Sequence, residues 1–156
     1  MSKVGLISNI FREVSRLVIG REEVIRLMMT ALLSEGHILL EGPPGIGKTT
    51  LAKVFSQTIG GSFRRVQMTP DLLPADIIGT PYYDQSKGVW KLKKGPIFAN
   101  VILVDELNRA TPKTQAALLE AMQERQVTIE GKTLQLPRPF LVIATQIPYG
   151  SEGTYP

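Results

Sequence analysis

The chain has 156 residues, 43% of them hydrophobic and 6% aromatic, with 18 Lys and Arg against 14 Asp and Glu for a formal charge of +4. That size fits one domain with a buried core, and the mild basicity lends no positive support to nucleic-acid binding. The absence of cysteine excludes disulfides and thiolate metal sites and is compatible with a cytoplasmic setting.

Residues 8–17 predict a short amphipathic helix with Ile10, Val14 and Leu17 on one face, broken at Val18-Ile19-Gly20. A stronger helix is expected from Arg21 to Glu35, where Val24, Met28 and Leu32 repeat at four and Gly36 supplies a stop. His37 to Glu41 reads as a first strand, with His37, the only histidine, in a structural role. A helical pattern follows from Lys48 to Ile59, and Phe63 to Met68 reads as a second strand. Residues 69–96 carry Pro70, Pro74, Gly79, Pro81 and Gly88 and predict an irregular insertion with room for a hairpin around Gln85 to Gly88. Val101-Ile102-Leu103-Val104 is an unbroken apolar run, as a central parallel strand covered on both faces requires. Thr111 as N-cap and Pro112 at the first helical position open a helix whose apolar side carries Leu118 and Met122. Residues 126–136 predict a hairpin turning at Glu130-Gly131-Lys132, and Phe140 to Thr145 a fourth core strand. Strands alternating with helices imply an α/β fold with a parallel sheet. No run of about 18 apolar residues occurs, so no membrane span is expected, and the N-terminal residues lack the pattern of a signal peptide.

Between the first strand and its helix stand Gly42, Pro43, Pro44, Gly45, Ile46, Gly47, Lys48 and Thr49, with Thr50 beside them. This fits GxxxxGK[ST] at every fixed position, in the strand–loop–helix setting where backbone N–H groups converge on a polyphosphate at a helix N-terminus. Lys48 is expected to reach the outer phosphates of ATP, and the Thr49 hydroxyl to ligate Mg²⁺. Asp105 and Glu106 end the apolar run, at the carboxyl end of a strand where ligands of open α/β sheets bind. Asp105 is expected to hold the metal through water and Glu106 to polarise the attacking water and accept its proton. Taken without the loop, the same two carboxylates read equally well as caps of a turn.

The chain resembles the MoxR family of AAA+ ATPases. The resemblance is carried by HILLEGPPGIGKT, SFRRVQMTPDLLPADIIG, LPRPFLVIATQ, SEGTYP and above all GPIFANVILVDELNRATPKTQAALLEAMQERQVTIEG, and it spans nearly everything from Val18 onward. It implies a P-loop NTPase fold, a three-layer αβα sandwich with sheet order 5-1-4-3-2, here truncated after the fourth core strand. Residues 1–17 would form an N-terminal helical segment, and residues 18–156 a partial nucleotide-binding subdomain. It also implies ATP binding and hydrolysis with Mg²⁺, a chaperone-like remodelling activity, assembly into rings (commonly hexamers) and partners with von Willebrand factor A domains. Residues 72–95 would be the family's helix-2 insertion and 126–136 its hairpin, both facing the ring pore. Trp90 and Tyr82-Tyr83 would then grip a client, although local hairpin packing explains them as well. Val18 to Arg21 resembles the segment that touches adenine, or a packed helix start. Asn108 and Arg109 resemble subunit-boundary positions, with a local salt bridge of Arg109 an equal reading.

Two departures from the family pattern bear on activity. Where the family reads ATQNP, this chain has Ala144-Thr145-Gln146-Ile147-Pro148. Ile147 can neither donate nor accept the hydrogen bond that the family's Asn would make to the γ-phosphate. The sequence given also stops before the family's fifth strand, arginine finger and helical lid. Without that strand, Ile38 to Leu40 would form an exposed apolar edge. An arginine finger is worth about 10³–10⁵ in turnover where it is best measured. The expectation is therefore an ATPase whose hydrolysis is weak in this chain, or a nucleotide-binding module without turnover.

Overall fold

The computed structural model describes residues 3–41, 45, 47–148 and 153–155; Gly42, Pro43, Pro44 and Ile46 of the predicted phosphate loop lie outside the described residues. In chain order the elements are α1 (Lys3–Leu17), α2 (Glu22–Leu33), β1 (Ile38–Glu41), α3 (Lys48–Thr58), β2 (Phe63–Gln67), α4 (Pro74–Ile78), β3 (Gly79–Asp84) and β4 (Val89–Lys94). Then follow β5 (Val101–Asp105), a 3₁₀ turn (Leu107–Arg109), α5 (Pro112–Glu124), β6 (Gln126–Ile129), β7 (Lys132–Gln135) and β8 (Leu141–Gln146).

The central sheet is parallel, in the order β1-β8-β5-β2. Successive side chains of a strand face opposite sides, so β2, β5 and β8 each feed two clusters. Val101 and Leu103 of β5 and Leu141 and Ile143 of β8 pack with Val14, Ile25, Met28 and Phe55 from α1, α2 and α3. Ile102, Val104, Val142 and Ala144 pack on the opposite side with Ile77, Leu118 and Ala121 from α4 and α5. The result is the expected three-layer αβα sandwich. β1 forms one edge of the sheet among the described residues. Its exposure falls on Leu39, at 48%, whereas Ile38 and Leu40 pack against the core. The apolar edge is therefore narrower than the three residues expected.

α1 starts at Lys3 rather than residue 8. Its Val14 is fully buried, but Leu17, read as part of the apolar face, sits at the helix end and is exposed. The stretch read as an irregular insertion contains the expected hairpin, β3–β4 turning through Gln85 to Gly88, and is otherwise more ordered than expected, with α4 leading into it. Gly79 and Gly95 make this possible by crossing at the root of the hairpin. A Cβ on Gly95 would lie 2.2 Å from the Ile77 carbonyl oxygen, so only glycine fits. Tyr83 packs edge-on against Trp90 across the hairpin, which supports the local packing reading of that pair. Trp90 remains 72% exposed. The second hairpin turns through Glu130 and Gly131, both at positive φ, with Ile129 paired to Lys132.

His37 ties three elements together. Its Nδ1 accepts from the Val142 backbone N–H at 2.9 Å. Nε2 therefore carries the proton and donates to the Met122 carbonyl at 3.0 Å, with the Arg125 guanidinium alongside. Burial lowers the imidazole pKa below its ordinary 6.5; the Met122 bond opposes this and the Arg125 charge adds to it. The unfolded chain therefore takes up this proton first as pH falls. The stability due to neutral His37 is complete above about 6.5 and is lost as pH drops from there toward the lowered folded value. Urea unfolding at pH 7.5 and 5.5 is expected to show a loss of stability that is largely absent in His37→Asn; equal losses in both would contradict the assignment.

Candidate active site

Strand alternation and register assemble the site. Gln67 pairs with Asp105, and Arg65 with Leu103. Leu103 and Phe63 belong to the cluster on the α3 side of the sheet, so Arg65, Gln67 and Asp105, each two residues along, share that face. Thr145 stands two residues beyond Ile143 of the same cluster and joins them. α3 begins there, following Gly47, whose φ of 83° favours glycine.

The Thr145 hydroxyl is the hub. It is 1% exposed, donates to Asp105 Oδ1 at 2.6 Å and accepts from the Glu106 backbone N–H at 2.9 Å. Asp105 Oδ2 accepts from Arg65 Nε at 3.1 Å and Nη2 at 2.7 Å. Arg65 Nη2 also donates to Gln67 Oε1 at 2.6 Å, and Gln67 Nε2 donates to Glu106 Oε2 at 2.9 Å. The same Glu106 oxygen lies 3.2 Å from Arg109 Nε, so the local salt bridge read as one option for Arg109 is present. Burial alone would raise the Asp105 pKa. The Thr145 and Arg65 hydrogen bonds, with the charges of Arg65 and Lys48, outweigh it and hold the carboxyl below its usual range. Glu106 adopts left-handed backbone torsions, φ 57° and ψ 51°, a conformation that a non-glycine residue keeps only where its surroundings enforce it. Here the Thr145 bond to its N–H and the two contacts to its carboxylate do so.

A cleft of about 580 Å³ is lined by Gly45, Gly47, Lys48 and Thr49 together with Asp105 and Glu106. The two halves predicted from sequence thus meet in one cavity. Thr50 instead lines an adjoining pocket of about 430 Å³, together with Val18, Ile19 and Arg21, and this pocket shares Gly47 and Lys48 with the first. Ile147 lines the main cleft. The Asn108 side chain grips its backbone, with Nδ2 donating to the Ile147 carbonyl at 2.9 Å and Oδ1 accepting from its N–H at 3.0 Å.

Thr49 and Asp105 offer only oxygen donors, which suits magnesium. Among the described residues no group of three or more His, Cys, Asp or Glu gathers as a metal site. A cation held here would take most of its ligands from phosphate and water, which is how magnesium is usually bound. Sequence reasoning missed the roles of Arg65, Gln67 and Thr145. For Arg65 and Gln67 the signal is the alternation in Phe63-Arg64-Arg65-Val66-Gln67, which becomes informative only once β2 is in register with β5; for Thr145 it is a polar residue two places beyond Ile143 on β8.

The sequence model of the ATPase family associated with various cellular activities (AAA) matches residues 37–156. Chaperone MoxR1 of Mycobacterium tuberculosis is 51% identical over 144 residues, covering 92% of this chain and 38% of that protein. Protein MoxR of Methylorubrum extorquens is 35% identical over 131 residues, covering 81% of this chain and 38% of the relative. A crystal structure of a candidate ATPase from Cytophaga hutchinsonii superposes with a TM-score of 0.86 at 49% identity, over 97% of this chain and 46% of the other. The chain thus spans less than half the length of these relatives. From the geometry of the hub, Thr145→Val is expected to cost about 1 kcal/mol by leaving the half-buried Glu106 N–H without its acceptor; urea unfolding that matches the parent would show that Thr145 is not the hub.

Proposed function

The chain belongs to the MoxR family of AAA+ ATPases, and on that premise we propose that it binds ATP with magnesium and contributes to hydrolysing it in a chaperone-like remodelling motor. One observation carries the reading: Lys48 and Thr49 line the same cleft as Asp105 and Glu106. The N-terminus of α3 turns its first-turn N–H groups and the positive end of its dipole toward a bound polyphosphate. Lys48 pairs with the outer phosphates. Glu106 orients a water for attack and takes its proton; the enforced torsions at Glu106 hold that carboxylate at the cleft. Thr49 and Asp105 are the residues that would hold magnesium, which supplies charge neutralisation of the phosphates when bound. Gly42, Pro43, Pro44 and Ile46 complete the phosphate loop in this proposal, and the pocket lined by Val18, Ile19 and Arg21 takes the base.

The same proposal includes a ring assembly, commonly a hexamer in this family, and partners with von Willebrand factor A domains. Residues 1–17 act as an N-terminal segment preceding the nucleotide-binding subdomain, and the β3–β4 and β6–β7 hairpins act as the parts that meet clients. It also includes a cytoplasmic location, with which the lack of cysteine is compatible. No helix among the described residues is long and apolar enough to cross a membrane.

Ile147 favours a second reading, a module that holds nucleotide without appreciable turnover. Both backbone polar groups of Ile147 are engaged by Asn108, and its side chain has no polar atom to offer a phosphate. Loss of one such contact slows catalysis by about 10²-fold. Nucleotide affinity and phosphate release separate the two readings. Lys48→Ala is expected to weaken binding, Glu106→Gln to keep binding but lose turnover, and Ile147→Asn to raise turnover by up to about 10²-fold. Phosphate release undiminished in both Lys48→Ala and Glu106→Gln would contradict the enzyme reading; tight binding with no release in the parent chain favours the module.

A further inference from the structure

The geometry points to Arg65 as an exchangeable counter-ion of Asp105, one that makes divalent-metal binding at this site conditional on nucleotide. The inference rests on the nucleotide-site reading above and deepens it by naming a residue that governs the metal.

The two partners differ in what they can tolerate. The Asp105 side chain is 16% exposed and that of Arg65 46%. A carboxylate this far removed from water is costly to leave without a positive or hydrogen-bonding partner. A half-exposed guanidinium on a long, flexible stem can return to solvent at small cost. Asp105 therefore gains more from a cation on Oδ2 than Arg65 gains from Asp105. A carboxylate offers about four lone-pair positions. Here Thr145 uses one on Oδ1, and Nε and Nη2 of Arg65 converge on Oδ2. A metal ion can gain full use of Oδ2 only when the guanidinium leaves. The salt bridge is not needed to join the strands, because β2 and β5 are already paired from Phe63 to Gln67.

Charge decides when the exchange happens. The cleft is lined by Lys48, Arg65 and Arg109 against Asp105 and Glu106, three positive groups to two negative. A bare divalent cation would enter a site that is already net positive and whose best oxygen is occupied, so it is repelled. A polyphosphate reverses the sign of the cleft and gives the guanidinium other oxygens to bind. Metal and nucleotide then enter together, and Arg65 leaves Asp105 as they do.

Manganese titration followed by electron paramagnetic resonance tests this on the nucleotide-free chain, where phosphate cannot supply ligands. The parent is expected to bind Mn²⁺ weakly. Arg65→Gln, which removes the competing charge, is expected to bind one Mn²⁺ about tenfold or more tightly, the scale of one unit charge at close range, and adding Asp105→Asn is expected to abolish the gain. Equal affinity in parent and Arg65→Gln, or weaker affinity in the variant, would overturn the proposal, the latter by showing that Arg65 only positions Asp105. If circular dichroism shows that Arg65→Gln does not fold, Arg65→Met decides the matter. It too removes the charge and the two-pronged grip while keeping the unbranched stem, so a tighter Mn²⁺ affinity than the parent's supports the proposal and an unchanged one overturns it. Binding of a fluorescent ADP analogue in EDTA tests the nucleotide reading separately. Its failure would remove that reading, while the manganese contrast, measured without nucleotide, still decides the role of Arg65.

Discussion

One buried hydroxyl holds the working end of the sheet together. Thr145 closes β8 with a donor bond to Asp105 and an acceptor bond from the Glu106 N–H. The two acidic residues are adjacent in sequence, and an extended strand would send them to opposite faces. The bond to the Glu106 amide accompanies the left-handed turn that ends β5 there. Consequently Asp105 and Glu106 open onto one cleft instead of two sides of the sheet. Everything proposed for the site depends on that local reversal.

The rest of the fold serves to bring α3 opposite this pair. Layers on both faces bury the alternating residues of β5 and β8, which leaves the ends of these two strands for polar side chains to gather. The cluster that covers the α3 face ends where Leu103 and Ile143 give way to Asp105 and Thr145, two residues further along each strand. Core packing and site geometry are thus consecutive stretches of the same strands. The cations Lys48, Arg65 and Arg109 around the cleft give it the sign that suits a polyphosphate.

Much of this is legible in the chain itself. The unbroken run Val101 to Val104 can be covered on both faces only in the middle of a parallel sheet, and it is wholly buried. Thr111-Pro112 carries its own start signal, and the Thr111 hydroxyl does accept from the Thr114 N–H. The glycines and prolines of residues 69–96 locate the hairpin turn at Gln85 to Gly88 but not α4 or the crossing at the hairpin root, because the same residues serve irregular loops and tight crossings alike. Only the approach of Gly95 to Ile77 tells which is present. Arg65 and Asp105 lie 40 positions apart in the chain, so their ion pair depends on strand register, which periodicity does not supply. Arg109 left two readings open, and its contact with Glu106 shows the local one formed in this chain.

The central claim is that the start of α3 encloses a polyphosphate facing Asp105 and Glu106. Amide NMR of the ¹⁵N-labelled chain during titration with ADP, and separately with adenosine, tests it most directly. Large shifts are expected at the Gly45, Gly47, Lys48 and Thr49 amides with ADP and none of that size with adenosine. Amides unmoved by ADP, or moved equally by adenosine, would contradict it.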